Sequence, residues 1–485
     1  MGDAAAAGSG GAAIKSLKRT QTSGVLYGLV PSSELAKPYD IVIIGGGPAG
    51  VAAAQKAAFL GRRALIIDDA SCSPTELDLS FGAPTGLFSK ALRDTAKSLD
   101  VELLSKMGLS EHVIWAQVQA SVSKLATNNA RTVMAMLDEF KISYLRARAK
   151  LVGHSGDGDS AMATLSATLK DGTETSISAR KVLVASGSTP NRPGSVPFDE
   201  ERIFDSDSIA KLAFLPKRVV ISGAGIIGIE YAKIFSKLKA EVTVLIRGDA
   251  SHSLARLFDS EICKGLLDDL VESGVTVLAH TSVESFSVPE DFSADAATPL
   301  TVTLKGGEGS TAPPSLDCDV FLAAMGRRPT SGGLGLEDLG GTIDAKTGAI
   351  KVDGSFSVEG APASIFAAGD VIGPPALAST SVEQAKAAVS AAFGEAEDDK
   401  AHVGKDNFPV GVWTIPEIAY YGFTKEAAIA KGVDAEEGVA PYTACVRTQD
   451  IEPRSCTAPF RCSLIPPSNP CVDSCVGVSS LRKAS

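Results

Sequence analysis

Residues 40–50 read Asp-Ile-Val-Ile-Ile-Gly-Gly-Gly-Pro-Ala-Gly, and this stretch decides the fold. Ile41–Ile44 is apolar throughout, as a strand buried on both faces must be. A glycine turn follows, then an alanine-rich helical run to Leu60, then a second apolar strand, Ala64–Ile67, ending at Asp68. Strand, glycine turn, helix and strand make a βαβ unit. The first glycine permits the tight turn, the second lets backbone approach a pyrophosphate, and the third lets the helix pack on the strand. Unpaired N–H groups at the helix start then meet the anion. Gly45, Gly47, Pro48, Ala49 and Gly50 are therefore candidate phosphate-binding residues. Asp68 is placed to accept both hydroxyls of an adenosine ribose, which suits FAD or NAD.

The same unit recurs downstream. Arg218–Ser222 reads as a strand, Gly223, Gly225 and Gly228 punctuate the turn, Ile229–Leu238 is helical, and Val242–Ile246 is the second strand. The register is the same, since Asp68 is 18 residues past Gly50 and Ile246 is 18 past Gly228. Where the first copy has a carboxylate, the second has Ile246 followed by Arg247, with Arg256 nine residues on. Guanidinium groups grip phosphate bidentately, so the second site reads as competent for NADP(H), against the alternative of two solvated arginines. A further echo aligns Leu183–Pro190 with Leu322–Pro329, each a buried strand closing on a glycine, Gly187 or Gly326. One lone glycine motif is weak; two in matched βαβ settings are strong. The expected fold is α/β, with two Rossmann-like nucleotide-binding domains, one inserted in the other.

Composition removes other classes. The 485 residues include 47 glycines, clustered rather than periodic, which excludes a collagen-like chain. No run of 18 apolar residues occurs, so no membrane-spanning helix is expected. A net charge of −11 argues against a nucleic acid or an anionic membrane as partner. Five of the eight cysteines fall after residue 444 at spacings that match no zinc site, so no metal site is expected. Residues 1–38 lack the apolar core of a secretory signal and read as a disordered or targeting extension. A cytoplasmic location is expected, with organellar targeting left open.

Taken together, these residues resemble the class I pyridine nucleotide–disulfide oxidoreductases, flavoproteins similar to dihydrolipoyl dehydrogenase. The resemblance runs over residues 40–445 and rests on Ile43–Gly50, Ser89–Leu92, Val184–Pro190, Gly223–Glu230, Gly326–Pro329 and Ile365–Asp370. Within the family, Phe204–Ile209, Asp370–Ser379 and Gly411–Tyr421 are most similar to the soluble pyridine nucleotide transhydrogenases. The resemblance implies FAD on the first glycine turn, Ser186 and Gly187 lining the flavin cleft, and Gly369 and Asp370 holding the ribityl–pyrophosphate region. It implies NAD(H) or NADP(H) on the second turn as cofactor and substrate, with Lys90 and Glu230 as a charged pair where the nicotinamide docks. It also implies a homodimer.

The chain departs from the family in three places. The redox dithiol falls on positions 81 and 86, which are Phe81 and Gly86, while Cys72 has no partner nearby. Disulfide reduction is therefore excluded, and hydride exchange between nicotinamide nucleotides through the flavin is the expected activity. An NAD(P)H oxidase or quinone reductase, or a non-catalytic nucleotide-binding protein, remains the alternative. The C-terminal histidine base motif is missing, which fits, since hydride transfer needs orientation rather than a general base. Resemblance also stops near Thr448. The expected domains are an FAD-binding domain over 39–192 and 319–400, a nucleotide-binding domain over 193–318, a truncated α+β interface domain over 401–450, and a disordered tail over 451–485.

Overall fold

The computed structural model describes residues 30–69, 81–250, 260–289 and 298–394, and beyond these chiefly residues 410–414, 417–420, 425–430, 436–441, 459–464 and 476–481. The chain divides into two compact units. The first comprises Met1–Pro84, Ala126–Ser188 and Arg328–Asp406, and the second Thr85–Leu125, Thr189–Arg327 and Asn407–Ser485.

In the first unit a seven-stranded sheet runs in the order Ser143–Arg146, Ala64–Asp68, Tyr39–Ile44, Glu174–Val184, Met162–Thr168, Arg148–Ser155, with Ile365–Ala367 also paired to Glu174–Val184. Tyr39–Ile44 pairs in parallel with a strand on each side, which is why its apolar run has no polar face. Ile41 and Ile43 point to one core, where Ala53, Ala54 and Ala57 of the helix Pro48–Phe59 meet Ala385, Ala388 and Val389 of the helix Ala378–Ala392. Val42 and Ile44 point to the opposite core with Val182, Val184, Leu151 and Leu165. Alternation with period two thus splits one strand between two cores, and the alanines let helices approach closely.

The second unit holds a parallel sheet in the order Thr276–Leu278, Glu241–Leu245, Arg218–Ser222, Val320–Ala323, Ile203–Asp205. An antiparallel sheet of Thr281–Ser287, Leu300–Gly306 and Ser315–Cys318 accompanies it. Two buried carboxylates tie its edges. Asp319 accepts the N–H groups of Lys217 and Arg218 at 2.9 Å and Nη2 of Arg218 at 2.8 Å. Asp205 accepts the N–H groups of Asp207 and Ser208 at 2.8 Å and Nε of Arg192 at 2.5 Å. Burial pushes the Asp205 carboxyl up, but those two N–H groups and Arg192 outweigh it and hold it below the usual range. Asp205→Ala would orphan these donors and is expected to lower stability by about 3 kcal/mol in urea unfolding at neutral pH. A loss below about 1 kcal/mol would show that the turn is held elsewhere.

Several expected boundaries move. Val320–Ala323, assigned in the sequence to the returning segment of the FAD domain, is hydrogen-bonded in the second sheet, beside Arg218–Ser222. Residues 85–125 group with the second unit rather than the first. The helix expected at Ile229 begins at Ile226, because Gly225 already occupies the N-cap position. Within the presumed extension, Ser32–Leu35 is a helical turn with Leu35 buried, and Arg63 bonds the carbonyls of Glu34, Lys37 and Pro38.

The tail is the largest correction. Pro459–Leu464 and Val476–Leu481 are strands, completing a five-stranded antiparallel sheet with Val410–Val412, Glu417–Tyr420 and Glu436–Pro441. The sheet that begins at Val410 therefore continues past residue 450. Scattered Pro, Ser and Cys between short strands hid their period. Cys72, Cys445, Cys456, Cys471 and Cys475 lie outside the described residues, as do residues 1–29. Among the described residues no helix is long and apolar enough to cross a membrane, and no cluster of three His, Cys, Asp or Glu is placed to hold a metal.

Candidate functional site

The two glycine turns have the same construction, and the space around each glycine explains it. A Cβ on Gly45 (φ +114°) would strike the carbonyl of Ala185, and one on Gly223 (φ +119°) would strike that of Ala324. A Cβ on Gly50 would strike the Gly45 carbonyl, and one on Gly228 the Gly223 carbonyl. At Gly47 and Gly225, by contrast, a Cβ would meet nothing within 4 Å. The first and third glycines are thus required by packing, whereas the middle one leaves an open approach to backbone. Gly47 and Gly225 are the N-cap residues of Pro48–Phe59 and Ile226–Lys237, and neither helix has a side-chain cap. Their first N–H groups are left for an anion.

In the first unit the other candidates gather around this turn. Asp68 closes the strand Ala64–Asp68, with Oδ2 against the place where a Gly46 side chain would lie. Ala185 bonds Ile44, which brings Ser186 and Gly187 beside the turn, and Ser186 Oγ donates to the Thr330 carbonyl at 2.7 Å. Gly369 (φ +81°) abuts Ala49, and its N–H donates to Gln384 Oε1 at 3.0 Å. Asp370 accepts from Ser188 Oγ at 2.7 Å. The helix Ala378–Ala392 also starts uncapped at Leu377, and near its start the buried hydroxyl of Thr380 has no partner. Two bare helix starts, an open glycine and an unsatisfied buried hydroxyl fit a dinucleotide with a polar linker.

Phe81 lies in the same unit, 1% exposed, its ring 4.2 Å from that of Tyr144. Gly82 N–H donates to the Gly46 carbonyl at 2.7 Å, so the segment is pinned to the turn.

The second unit brings Lys90 within electrostatic reach of Glu230. Ser89, Lys90 and Arg93 lie on the helix Leu87–Ser98, and Glu230 follows Gly228 by two residues on Ile226–Lys237. Glu230 is 7% exposed; its Oε1 accepts the Trp413 N–H at 3.1 Å, and Ser89 Oγ lies 3.5 Å from Oε2. Burial pushes the Glu230 carboxyl above the usual range, against the opposing pull of Lys90, the Trp413 N–H and Arg93. Burial likewise lowers Lys90, Glu230 raises it, and Arg93 lowers it further. The Lys90 ammonium sits 2.8 Å from where a Gly86 Cβ would be. It fills the space that a side chain at position 86 would enter.

Of the remaining candidates, Gly326 (φ +88°) follows the strand Val320–Ala323, and its carbonyl accepts from Asn191 at 3.0 Å. Arg247 is exposed just past the strand Glu241–Leu245, while Arg256 lies outside the described residues. Sequence reasoning missed Ser188, Arg93 and Trp413. Arg93 was accessible as the i+3 neighbour of Lys90 on one helix face. Trp413 acts through its main chain, which no residue type signals.

The model of the pyridine nucleotide-disulphide oxidoreductase family matches residues 39–392. The chain belongs to this family. A soluble pyridine nucleotide transhydrogenase of Ectopseudomonas mendocina is 29% identical over 416 residues, covering 86% of this chain and 83% of its own. A second, from Mycobacterium bovis, is 30% identical over 418 residues, covering 85% and 82%. A dihydrolipoyl dehydrogenase of Trypanosoma brucei brucei is 28% identical over 425 residues, covering 85% and 82%. LpdA from Mycobacterium tuberculosis has the same fold (TM-score 0.71, 24% identity, 90% and 89% covered), as does the HOCl-induced flavoprotein disulfide reductase RclA from Escherichia coli in its Cu(II) complex (0.68, 21%, 89% and 87%). The family's cofactors are FAD and NAD(P)(H), and the two cradles described above fit two dinucleotides.

Proposed function

We propose that this oxidoreductase moves hydride from one nicotinamide nucleotide to another by way of FAD, as a transhydrogenase, without a redox dithiol. The observation that carries the reading is the pair of intact nucleotide cradles combined with Phe81 and Gly86 where the resemblance puts the two cysteines. With no sulfur at either position, a disulfide substrate has no relay. The bound flavin supplies a two-electron hydride carrier. Around it, Asp68 binds the adenosine ribose, and Asp370, held by Ser188, orients the linker. On the second cradle Glu230 and Lys90 orient the nicotinamide, and Arg247 with Arg256 takes an adenosine 2′-phosphate. The five-stranded sheet beyond residue 410 supports a homodimer as part of the same reading.

The test is a visible spectrum taken before and after anaerobic NADPH, followed by a spectrally distinct NAD⁺ analogue. The flavin bands are expected to bleach with no long-wavelength thiolate band and to return as the analogue is reduced. Bleaching reversed only by oxygen or a quinone would instead identify an oxidase or quinone reductase. A protein without flavin bands would be a nucleotide-binding protein without turnover.

A further inference from the structure

The second unit contains a buried arginine that the proposed chemistry does not use. Arg93 is 7% exposed and sits one helical turn after Lys90. Its Nη1 donates to the Trp413 carbonyl at 3.3 Å, and its guanidinium carbon lies 5.2 Å from the centroid of the Trp413 ring. Nε and Nη2 both bond Asp94 Oδ1, at 3.0 and 2.8 Å, which fixes the plane of the guanidinium. Trp413 is thus held at both ends of its main chain. Its carbonyl is held by Arg93, and its N–H is delivered to Glu230 at 3.1 Å.

We propose that Arg93 is a positioning residue that, through Trp413, holds the Glu230 carboxylate in place and charged opposite Lys90. The geometry requires a planar donor. A guanidinium can stack on an indole while donating in its own plane, which an ammonium does less well. Main-chain donation to a buried carboxylate favours its ionised form, as does a second cation nearby. Arg93 acts in both ways, since it fixes the N–H donor and is itself a cation near Glu230. The groups bearing on Glu230 are Lys90, Arg93 and Ser89 of Leu87–Ser98, the Trp413 N–H, and Tyr231 of its own helix, toward which Asp205 and Asp207 also act. The segment 410–414 thereby becomes part of the nicotinamide-side site, which rests on the reading of Lys90 and Glu230 given above.

The test does not depend on turnover. The chain has two tryptophans, Trp115 and Trp413, so full-length protein labelled with 5-fluorotryptophan gives two ¹⁹F signals, assigned with Trp413→Phe. In the wild type the Trp413 signal is expected to titrate with Glu230, and Glu230→Gln is expected to abolish that titration. Arg93→Met should raise the midpoint by about one pH unit and shift the signal, whereas Arg93→Lys should recover about half of the change. An unchanged Trp115 signal reports that the variant is folded; if Arg93→Met does not fold, Arg93→Gln replaces it. A Trp413 signal with the wild-type position and midpoint in the Arg93→Met or Arg93→Gln protein would overturn the proposal. Loss of transhydrogenation in the wild type would overturn only the functional reading, because these signals would still titrate.

Discussion

Gly50→Val is expected to yield a protein that purifies without flavin, whereas Gly228→Val keeps its flavin and loses the nicotinamide nucleotide. Both follow from the space around the turns. A side chain at Gly50 runs into the Gly45 carbonyl, and one at Gly228 into the Gly223 carbonyl, so the helix must slide away from its strand. Forcing methyl groups into such a contact costs about 1–3 kcal/mol and sometimes more. The larger effect is on binding, because moving the helix start misdirects the N–H groups that meet the pyrophosphate. A flavin-to-protein absorbance ratio below about a tenth of wild type is expected for Gly50→Val. For Gly228→Val the ratio should be preserved, while NADPH affinity by fluorescence titration falls by at least about 100-fold, or roughly 2.8 kcal/mol. The reverse assignment of losses would place the two nucleotides on the wrong units. Gly47→Ala is the control: with nothing within 4 Å of the added methyl, its effect on stability is expected to be within about 0.5 kcal/mol, though it sits where a phosphate must approach.

The nucleotide cradles were legible in the sequence because backbone sterics permit few residue types there. Gly45 and Gly223 have φ values that side chains rarely adopt, and the apolar runs flanking them had no other use than a buried parallel strand. Asp68 was read from its spacing and lies against Gly46, whereas Gly187, Gly369, Asp370 and Glu230 were expected only from the family resemblance; Gly369 abuts Ala49, and Glu230 lies on the helix Ile226–Lys237. What escaped was held by long-range pairing or by main-chain groups. The membership of Val320–Ala323 in the second sheet is set by hydrogen bonds to Arg218–Ser222, about a hundred residues away in sequence, with no local signal. The strands Pro459–Leu464 and Val476–Leu481 are short and interrupted, and they pair across a long connection. Arg93 and Trp413 meet only because two distant segments fold together, and the group that reaches Glu230 is an amide.

Lys90→Met is expected to make stability fall more steeply with rising pH than it does in the wild type. Glu230 is an acid whose folded-state pKa is raised by burial, so the folded state binds its proton more tightly than the unfolded state does. Such a group costs nothing at pH below its unfolded value, near 4.5, and costs progressively more as pH rises toward its folded value. In the wild type Lys90 and the Trp413 N–H oppose that shift, which limits the cost. Removing the ammonium leaves a carboxylate that is 7% exposed with one cation fewer, so the folded pKa climbs and the window of lost stability widens upward. The loss of the electrostatic pull of the partly exposed Lys90 on Glu230 is expected to cost about 1–2 kcal/mol at pH 8, against less than about 1 kcal/mol at pH 4.5. Lys90→Met/Glu230→Gln should recover most of the difference, since no charge is then stranded and the amide still accepts from Trp413. Urea unfolding of the four proteins between pH 4.5 and 8 decides it. Parallel stability curves for wild type and Lys90→Met would mean that Lys90 and Glu230 are not coupled in the folded chain, and the proposed role of the two residues at the nicotinamide would lose its physical basis.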